Sequence, residues 1–227
     1  MSRRAADCEI ARGNVTVNGE TAVTGQKTVP GQDEIRIGGV LVGSPGKHVY
    51  IMLNKPVGYV TTLDDEMGRR CVAELVSDVG ERVYPVGRLD RDSEGLLIMT
   101  NDGEFANRMM HPRYGKSKLY HVRIAGEVTQ DQISELCEPF EIDGYITHGA
   151  EVSAVQSDGG GTLLSVRLHE GRNRQIRRMC EALGLRVLSL KRVAYGELTL
   201  GNLQPGKWRY LTESQIASLC GGDGGKK

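Results

Sequence analysis

The fold of this chain is decided by residues 85–103, which read PVGRLDRDSEGLLIMTNDG. Residues 88–94 form a loop with five charged side chains, and residues 96–99 are a short apolar run typical of a buried strand. Residues 101–103 predict a turn that ends the strand and caps a following helix. A charged loop at the start of a buried strand can hold one carboxylate rigidly, although the same pattern also fits a surface loop with a salt bridge.

The composition is that of a globular protein with one or two domains. At 227 residues the chain can bury a sizeable core, and it contains no apolar run long enough to span a membrane. Its first residues carry charges but no apolar stretch follows them, so we expect no signal peptide. The five cysteines are scattered, and no pair has the spacing of metal ligands. This pattern favours reduced thiols in a cytoplasmic protein without a metal site.

Charge is balanced overall but unevenly distributed along the chain. The 29 basic and 29 acidic residues give a net charge of zero, which argues against nucleic-acid binding by the whole surface. Residues 172–192, however, contain seven cations and one anion, whereas residues 127–143 contain six anions and no cation. A local basic patch fits contact with a phosphate backbone, but two solvated helix faces of opposite sign would produce the same counts.

Several separated motifs resemble, in the same order, those of the RsuA/RluB family of RNA pseudouridine synthases. The first is Gly87-Arg88-Leu89-Asp90 with the residues that follow it up to Gly103. Further parts of the match are residues 106–107, 110–112, 118–120, 170–179 and 208–212, so that it covers about residues 48–219. The resemblance implies an α+β fold with a mixed, largely antiparallel sheet flanked by helices. The irregular alternation of helical and strand patterns along this chain favours the same class.

The resemblance implies an enzyme that isomerises uridine to pseudouridine in RNA and needs no cofactor. It identifies Asp90 as the catalytic residue, acting at the sugar either as a nucleophile at C1′ or as a base at C2′. It further assigns Tyr120 to packing on the uracil ring and Arg177 to an ion pair that keeps Asp90 ionised. The structural alternatives are that Tyr120 is a half-buried strand aromatic and Arg177 a salt-bridge partner on a helix.

Because the target base must leave the helical stack, further residues are expected to contact RNA or to line the pocket. Arg88, which precedes the Leu89-Asp90 pair, would fill the gap left by the flipped base, and Leu168 would line the pocket. Arg174 is expected to contact RNA phosphates. The complete set of these substrate and RNA-binding candidates is Arg88, Leu168, Arg172, Arg174, Arg178, Arg3 and Arg4.

The chain is predicted to have two ordered parts and a disordered tail. Residues 1–43 resemble the second half of an S4 RNA-binding domain, without that domain's first helix, and residues 43–46 are the best linker candidate. Residues 47–219 are expected to form the catalytic domain and residues 220–227 the tail. Within the catalytic domain, residues 58–62 predict a strand, and Gly171 is expected to open the basic helix.

The motifs at residues 107–112 and 170–175 look closer to the large-subunit RluB branch than to the small-subunit RsuA branch. This favours a monomeric enzyme whose partner is 23S ribosomal RNA or a pre-ribosomal particle. The alternatives are a 16S synthase, a non-catalytic S4-type RNA-binding protein and a hydrolase with an Asp nucleophile. An RNA-binding protein would be expected to have a complete S4 module and a degenerate Asp90 motif. A hydrolase would need a general base near Asp90, and no His or Glu motif supplies one.

Overall fold

The computed structural model describes residues 1, 3–43 and 46–221. Three predicted features therefore fall wholly or partly outside the described residues. They are Ser2, which the sequence favours as the cap of a first helix over residues 1–12, the centre of the linker at Ser44-Pro45, and residues 222–227 of the tail. The described chain divides into two compact units between Lys47 and His48. The assignment of domains, including the S4-like character of the first unit, stays a prediction.

The first unit is a short helix with a small antiparallel sheet. Its helix and four strands are α1 (Arg3–Ala11), β1 (Val15–Val17), β2 (Glu20–Thr21), β3 (Ile35–Ile37) and β4 (Val40–Leu41), in the spatial order β2-β1-β3-β4. Asn18 and Gly19 both have positive φ, at 51° and 89°, which gives β1 and β2 the tight turn that an Asn-Gly pair predicts. Val15 and Val17 form the core of the unit together with Ala22.

The second unit is built on a nine-stranded sheet. Its central path runs β11-β12-β8-β13-β7-β5-β15, with β14 beside β13 and β6 beside β7. The strands are β5 (Tyr50–Lys55), β6 (Tyr84–Val86), β7 (Glu94–Thr100), β8 (Lys118–Ile124), β11 (Glu151–Asp158), β12 (Gly161–Leu168), β13 (Val187–Tyr195), β14 (Leu198–Thr199) and β15 (Trp208–Tyr210), and a separate hairpin consists of β9 (Glu141–Ile142) and β10 (Tyr145–Ile146). The β13–β7 pair is parallel and the other pairings in the sheet are antiparallel. The predicted fold class is confirmed.

The central strands β5 and β7 are buried on both faces. Along β7, Leu97 and Met99 point into one apolar cluster, whereas Leu96 and Ile98 point into a second. Because successive side chains of a strand alternate between faces, a strand covered on both sides is apolar at consecutive positions along its central part. This explains the continuous apolar run that follows the charged loop.

Four helices cover the two faces of this sheet, namely α2 (Gly103–Met110), α3 (Gln130–Cys137), α4 (Gln175–Ala182) and α5 (Glu213–Cys220). The carboxylate of Asp102 accepts hydrogen bonds from the backbone N–H groups of Glu104 and Phe105, so it caps α2 as the turn motif predicts. Phe105 packs in the cluster that contains Leu96, and Ile176 of α4 packs in the cluster that contains Leu97.

Two local predictions differ from the structure. Residues 58–62 do not form a regular strand, and Val60 makes an isolated bridge to Cys71. The reason is that Gly58 has a φ of 94° and donates its N–H to the carbonyl of Arg91, in the charged loop, rather than to a strand. Helix α4 begins at Gln175 and not at Gly171, because Arg174 adopts the left-handed conformation (φ 51°) at the N-cap.

Candidate active site

The charged loop, residues 87–93, connects β6 to β7 and is anchored at Leu89. The Thr61 hydroxyl donates to the Leu89 carbonyl over 2.6 Å and accepts the Leu89 N–H over 3.2 Å. Both Thr61 and Leu89 are buried. Since both backbone groups of Leu89 are bonded to one buried side chain, the position of the next residue, Asp90, is fixed by the fold.

Lys55 of β5 anchors the end of the charged loop at Ser93. Its ammonium group is completely buried and donates to the carbonyls of Ser93 (2.7 Å) and Pro56 (3.0 Å). Ser93 in turn donates its N–H to the Asp90 carbonyl over 3.1 Å. Burial lowers the pKa of Lys55 to about 8, even though the nearby carboxylates of Asp90 and Asp92 favour its charged form.

Gly95 allows the parallel strand β13 to approach the loop closely. A Cβ atom at this position would lie 2.2 Å from the Arg192 carbonyl oxygen and 2.8 Å from the Arg192 nitrogen. Its φ of 106° also lies in a region that L-residues rarely adopt. The glycine therefore sets how deeply the base of the loop is embedded in the sheet.

Two arginines from the start of α4 contact the carboxylate of Asp92. Arg174 makes a two-point contact with it, at 3.0 and 3.1 Å. Arg177 donates from Nη2 to the Asp92 carbonyl over 2.8 Å. Its Nε lies 3.3 Å from Asp92 Oδ2 but lacks hydrogen-bond geometry, so it is an ion-pair contact only. Partial burial by itself raises the pKa of Asp92. The hydrogen bond from Arg174 and the charge of Arg177 outweigh this effect, so the pKa of Asp92 lies below its usual value.

Asp90 has a different environment from Asp92. Its carboxylate is one-third exposed, and the guanidinium of Arg174 approaches it to 3.8 Å, beyond hydrogen-bonding distance. The expected ion pair between Arg177 and Asp90 is not the arrangement in this structure, where Arg177 pairs with Asp92. Arg174 at the N-cap and Arg177 one turn later both lie against the loop and bracket Asp92.

Asp90 faces an open cavity of about 620 Å³. Four arginines and two aspartates contribute to its walls, which gives the lining an excess of positive charge. The residues around the cavity are Val57, Gly58, Val60, Thr61, Arg69, Arg88, Leu89, Asp90, Arg91, Asp92 and Arg174. The volume lies in the range of small-molecule sites. A carboxylate fixed in such a cavity can attack an electrophilic carbon or remove a proton.

Tyr120 and Leu168 lie in the sheet, in the apolar cluster that also contains Leu89 of the charged loop. Tyr120 is buried on β8 between Val166 of β12 and Arg192 of β13. Tyr120, Leu168 and Leu89 belong to one apolar cluster, but the two candidates are not among the residues that line the cavity. The structure thus brings Arg88, Asp90 and Arg174 together around the cavity and places Tyr120 and Leu168 in the adjoining core.

The remaining basic candidates lie in different settings. The guanidinium of Arg172 stacks on the ring of Tyr145 at 3.5 Å from its centroid, and Arg178 pairs with Asp143. Both partners belong to the β9–β10 hairpin or its turn, which the sequence interpretation missed. Its signal was the Asp143-Gly144 pair, since both residues have positive φ as in a tight hairpin turn. Arg3 and Arg4 are exposed on α1 of the first unit.

The sequence interpretation also missed Thr61 and Arg69 as parts of the site. Neither lies in a motif that was assigned a role, and neither has a pattern that could have revealed it. Over the residues that the structure describes, no group of three or more His, Cys, Asp or Glu side chains could hold a metal ion. No helix in these same parts of the chain is long and apolar enough to cross a membrane.

Comparison with known proteins gives consistent matches. The family model described as RNA pseudouridylate synthase matches residues 49–182. An uncharacterized RNA pseudouridine synthase of Aquifex aeolicus is 42% identical over 220 residues, which cover 96% of this chain and 88% of the relative. Ribosomal large subunit pseudouridine synthase B of Bacillus subtilis is 37% identical over 220 residues, 96% and 90% of the two chains. A crystal structure of a pseudouridylate synthase superposes with a TM-score of 0.71 at 29% identity, covering 96% of this chain and 94% of the other.

Proposed function

This chain belongs to the RNA pseudouridylate synthase family, and on that premise we propose that it forms pseudouridine in the ribosomal RNA of the large subunit. The enzyme class rests on the family. The observation that carries the proposal for this site is the Asp90 carboxylate, fixed by its anchored loop in a cavity with an excess of arginine. The choice of the large subunit is supported by the similarity to the Bacillus subtilis large-subunit enzyme.

The reaction requires only a rearrangement of bonds. The C1′–N1 bond breaks, the base turns, C5 bonds to C1′, and the proton on C5 leaves while N1 gains one. No electrons are exchanged with another molecule. The Asp90 carboxylate acts at the sugar, either by forming a bond to C1′ or by removing the C2′ proton to give a glycal. Both routes use the carboxylate in its ionised form.

The base must leave its stack to reach the cavity. Arg88 is an exposed residue of the charged loop and lines the cavity, so we assign its long side chain to the gap left by the base. Tyr120 is assigned to the face of the uracil ring and Leu168 to the pocket wall, because both belong to the apolar cluster that contains Leu89. Arg174, whose guanidinium lies 3.8 Å from the carboxylate of Asp90, is assigned two roles. It contacts an RNA phosphate, and its positive charge offsets the negative charge of Asp90.

We further infer that the enzyme works as a monomer in the cytoplasm, on free ribosomal RNA or on a pre-ribosomal particle. The basic residues of α4 and the exposed Arg3 and Arg4 of the first unit supply the positive charge for that contact. A small-subunit target of the RsuA type remains the second candidate, and the same experiment decides between the two.

The experiment is to map pseudouridine in both ribosomal RNAs from cells that lack the protein. We expect uridine in place of pseudouridine at a position of the large-subunit RNA, restored by the wild-type gene and not by an Asp90→Asn variant. Loss of pseudouridine in the small-subunit RNA alone would favour the RsuA-type alternative. Unchanged maps of both RNAs would contradict a ribosomal target.

A further inference from the structure

Arg69 lines the cavity, but it belongs neither to the charged loop nor to the start of α4. The cavity contains three other arginines, of which Arg88 and Arg91 belong to the loop and Arg174 to the start of α4. Arg69 comes from the connection between residues 62 and 71, which follows the segment that holds Leu89. It therefore places a cation in the cavity from an independent part of the chain.

The connection is built around one ion pair that orients Arg69. Asp65 accepts the backbone N–H of Arg69 over 2.8 Å, and its carboxylate bonds to Nε (3.1 Å) and Nη2 (2.7 Å) of the same residue. The Asp65 side chain is only 7% exposed. The hydrogen bonds from Arg69 lower the pKa of Asp65 to about 2, so this carboxylate is ionised at neutral pH.

The contact with Asp65 uses one edge of the guanidinium. A guanidinium can form two-point contacts through its Nε–Nη edge and through its Nη1–Nη2 edge. Asp65 takes the first, which directs the second away from Asp65. The Arg69 side chain is 43% exposed, so the group is accessible to a ligand in the cavity. A phosphodiester, whose two non-bridging oxygens share one negative charge, matches that edge.

The neighbouring arginine is arranged differently. Arg70 is 70% exposed, its guanidinium stacks over the ring of Tyr59 at 4.4 Å, and its Nε lies 3.8 Å from the carboxylate of Glu74. Arg70 does not line the cavity. Its backbone carbonyl bonds to the N–H of Val60 over 2.9 Å, which fixes the connection beside the cavity. The chain thus offers two adjacent arginines of equal charge, one inside the cavity and one outside it.

We propose that Arg69 is a positioning residue that binds a phosphate of the RNA backbone next to the flipped uridine, with Asp65 holding its guanidinium in place. The proposal rests on the synthase activity of this cavity. The contact is independent of base identity, since it involves only the backbone. It fixes the sugar of the target nucleotide relative to Asp90 from a part of the chain other than the one that carries Arg174.

The test compares Arg69→Ala with the matched control Arg70→Ala in RNA-binding titrations over a range of salt concentrations. A single-stranded oligouridylate is the probe. One lost phosphate contact reduces the slope of log K against log salt by about 0.7. We expect this reduction for Arg69→Ala and a wild-type slope for Arg70→Ala. Arg69→Lys should keep the slope, because it keeps the charge, but slow product formation in a single turnover, because it loses the fork geometry.

A second measurement separates a phosphate contact from a merely structural role. The probe is a ribosomal RNA fragment around the mapped uridine, with single phosphates replaced by neutral methylphosphonates. One replacement beside the target should weaken wild-type binding and have no further effect on Arg69→Ala. Equal salt slopes for wild type and Arg69→Ala, or the same methylphosphonate penalty in both, would overturn the role of Arg69 even if the enzyme is active. An inactive wild-type enzyme on this fragment would instead contradict the ribosomal substrate, and the oligouridylate slopes would still decide on Arg69.

Discussion

At the scale of single residues, Asp92 contributes to the site as an anchor. Its carboxylate and carbonyl contact Arg174 and Arg177, so the loop and the start of α4 are joined through one acidic residue. Asp90 is left without a hydrogen bond from either arginine and faces the cavity. The two aspartates of the loop therefore have separate tasks, one structural and one assigned to the chemistry.

This arrangement predicts different results for two arginine variants. Arg177 is 14% exposed and bonds to the loop backbone. Arg177→Ala should therefore lower the free energy of unfolding by about 1–3 kcal/mol and slow turnover through loss of loop order. Arg174 is 43% exposed, so Arg174→Ala should change stability by less than about 1 kcal/mol. It should weaken RNA binding and also reduce turnover, because this cation lies near Asp90.

The measurements are urea unfolding, RNA binding and single-turnover kinetics for both variants. Equal losses of stability in the two variants would contradict the assignment of Arg177 to a buried contact with the loop and of Arg174 to an exposed cation. The sequence could identify both arginines through the motif, but it could not assign their partners. The partners depend on how the charged loop and the start of α4, more than 80 residues apart in the chain, meet in the fold, for which a sequence pattern contains no local signal.

At the scale of elements, β7 and the loop before it form one unit with β13. The parallel pairing places Arg192 directly opposite Gly95, and the close approach of the two backbones depends on the missing side chain. The sequence predicts β7 from its apolar run and turn residues. It could not predict that Gly95 faces a parallel neighbour, because parallel pairing joins segments almost a hundred residues apart.

Gly95→Ala is predicted to be strongly destabilising. The added methyl group would lie 2.2 Å from a backbone oxygen, and the backbone would be strained at a φ of 106°. Strain and overpacking together should cost about 3 kcal/mol or more in urea unfolding. Gly184→Ala is the matched control, since Gly184 has a φ of 70° and no atom within 4 Å of an added Cβ. Its cost should stay near 1 kcal/mol. Similar costs for the two variants would show that β13 moves away freely.

At the scale of the whole molecule, the fold class follows from the sequence, but the assembly of the cavity around the Asp90 loop does not. The turn and cap at residues 101–103 correctly mark the start of α2. The cavity is formed by three stretches far apart in the chain, at residues 57–69, 88–92 and 174. Their meeting depends on the strand order of the sheet, which periodicity along one chain does not specify.

The central claim is that the Asp90 carboxylate performs the chemistry in this cavity. It is tested most directly by following the release of tritium from RNA labelled at C5 of uridine, because this hydrogen leaves only when C5 bonds to C1′. Wild type, Asp90→Asn and Asp92→Asn are compared at saturating RNA, with the melting temperature and RNA affinity measured on the same preparations.

The account predicts that Asp90→Asn folds and binds RNA as the wild type does and releases no tritium. Asp92→Asn should retain part of the activity, because it perturbs the anchor and leaves the reacting carboxylate in place. Tritium release by Asp90→Asn within about tenfold of wild type, a difference of only about 1.4 kcal/mol in the barrier, would contradict the assignment of Asp90.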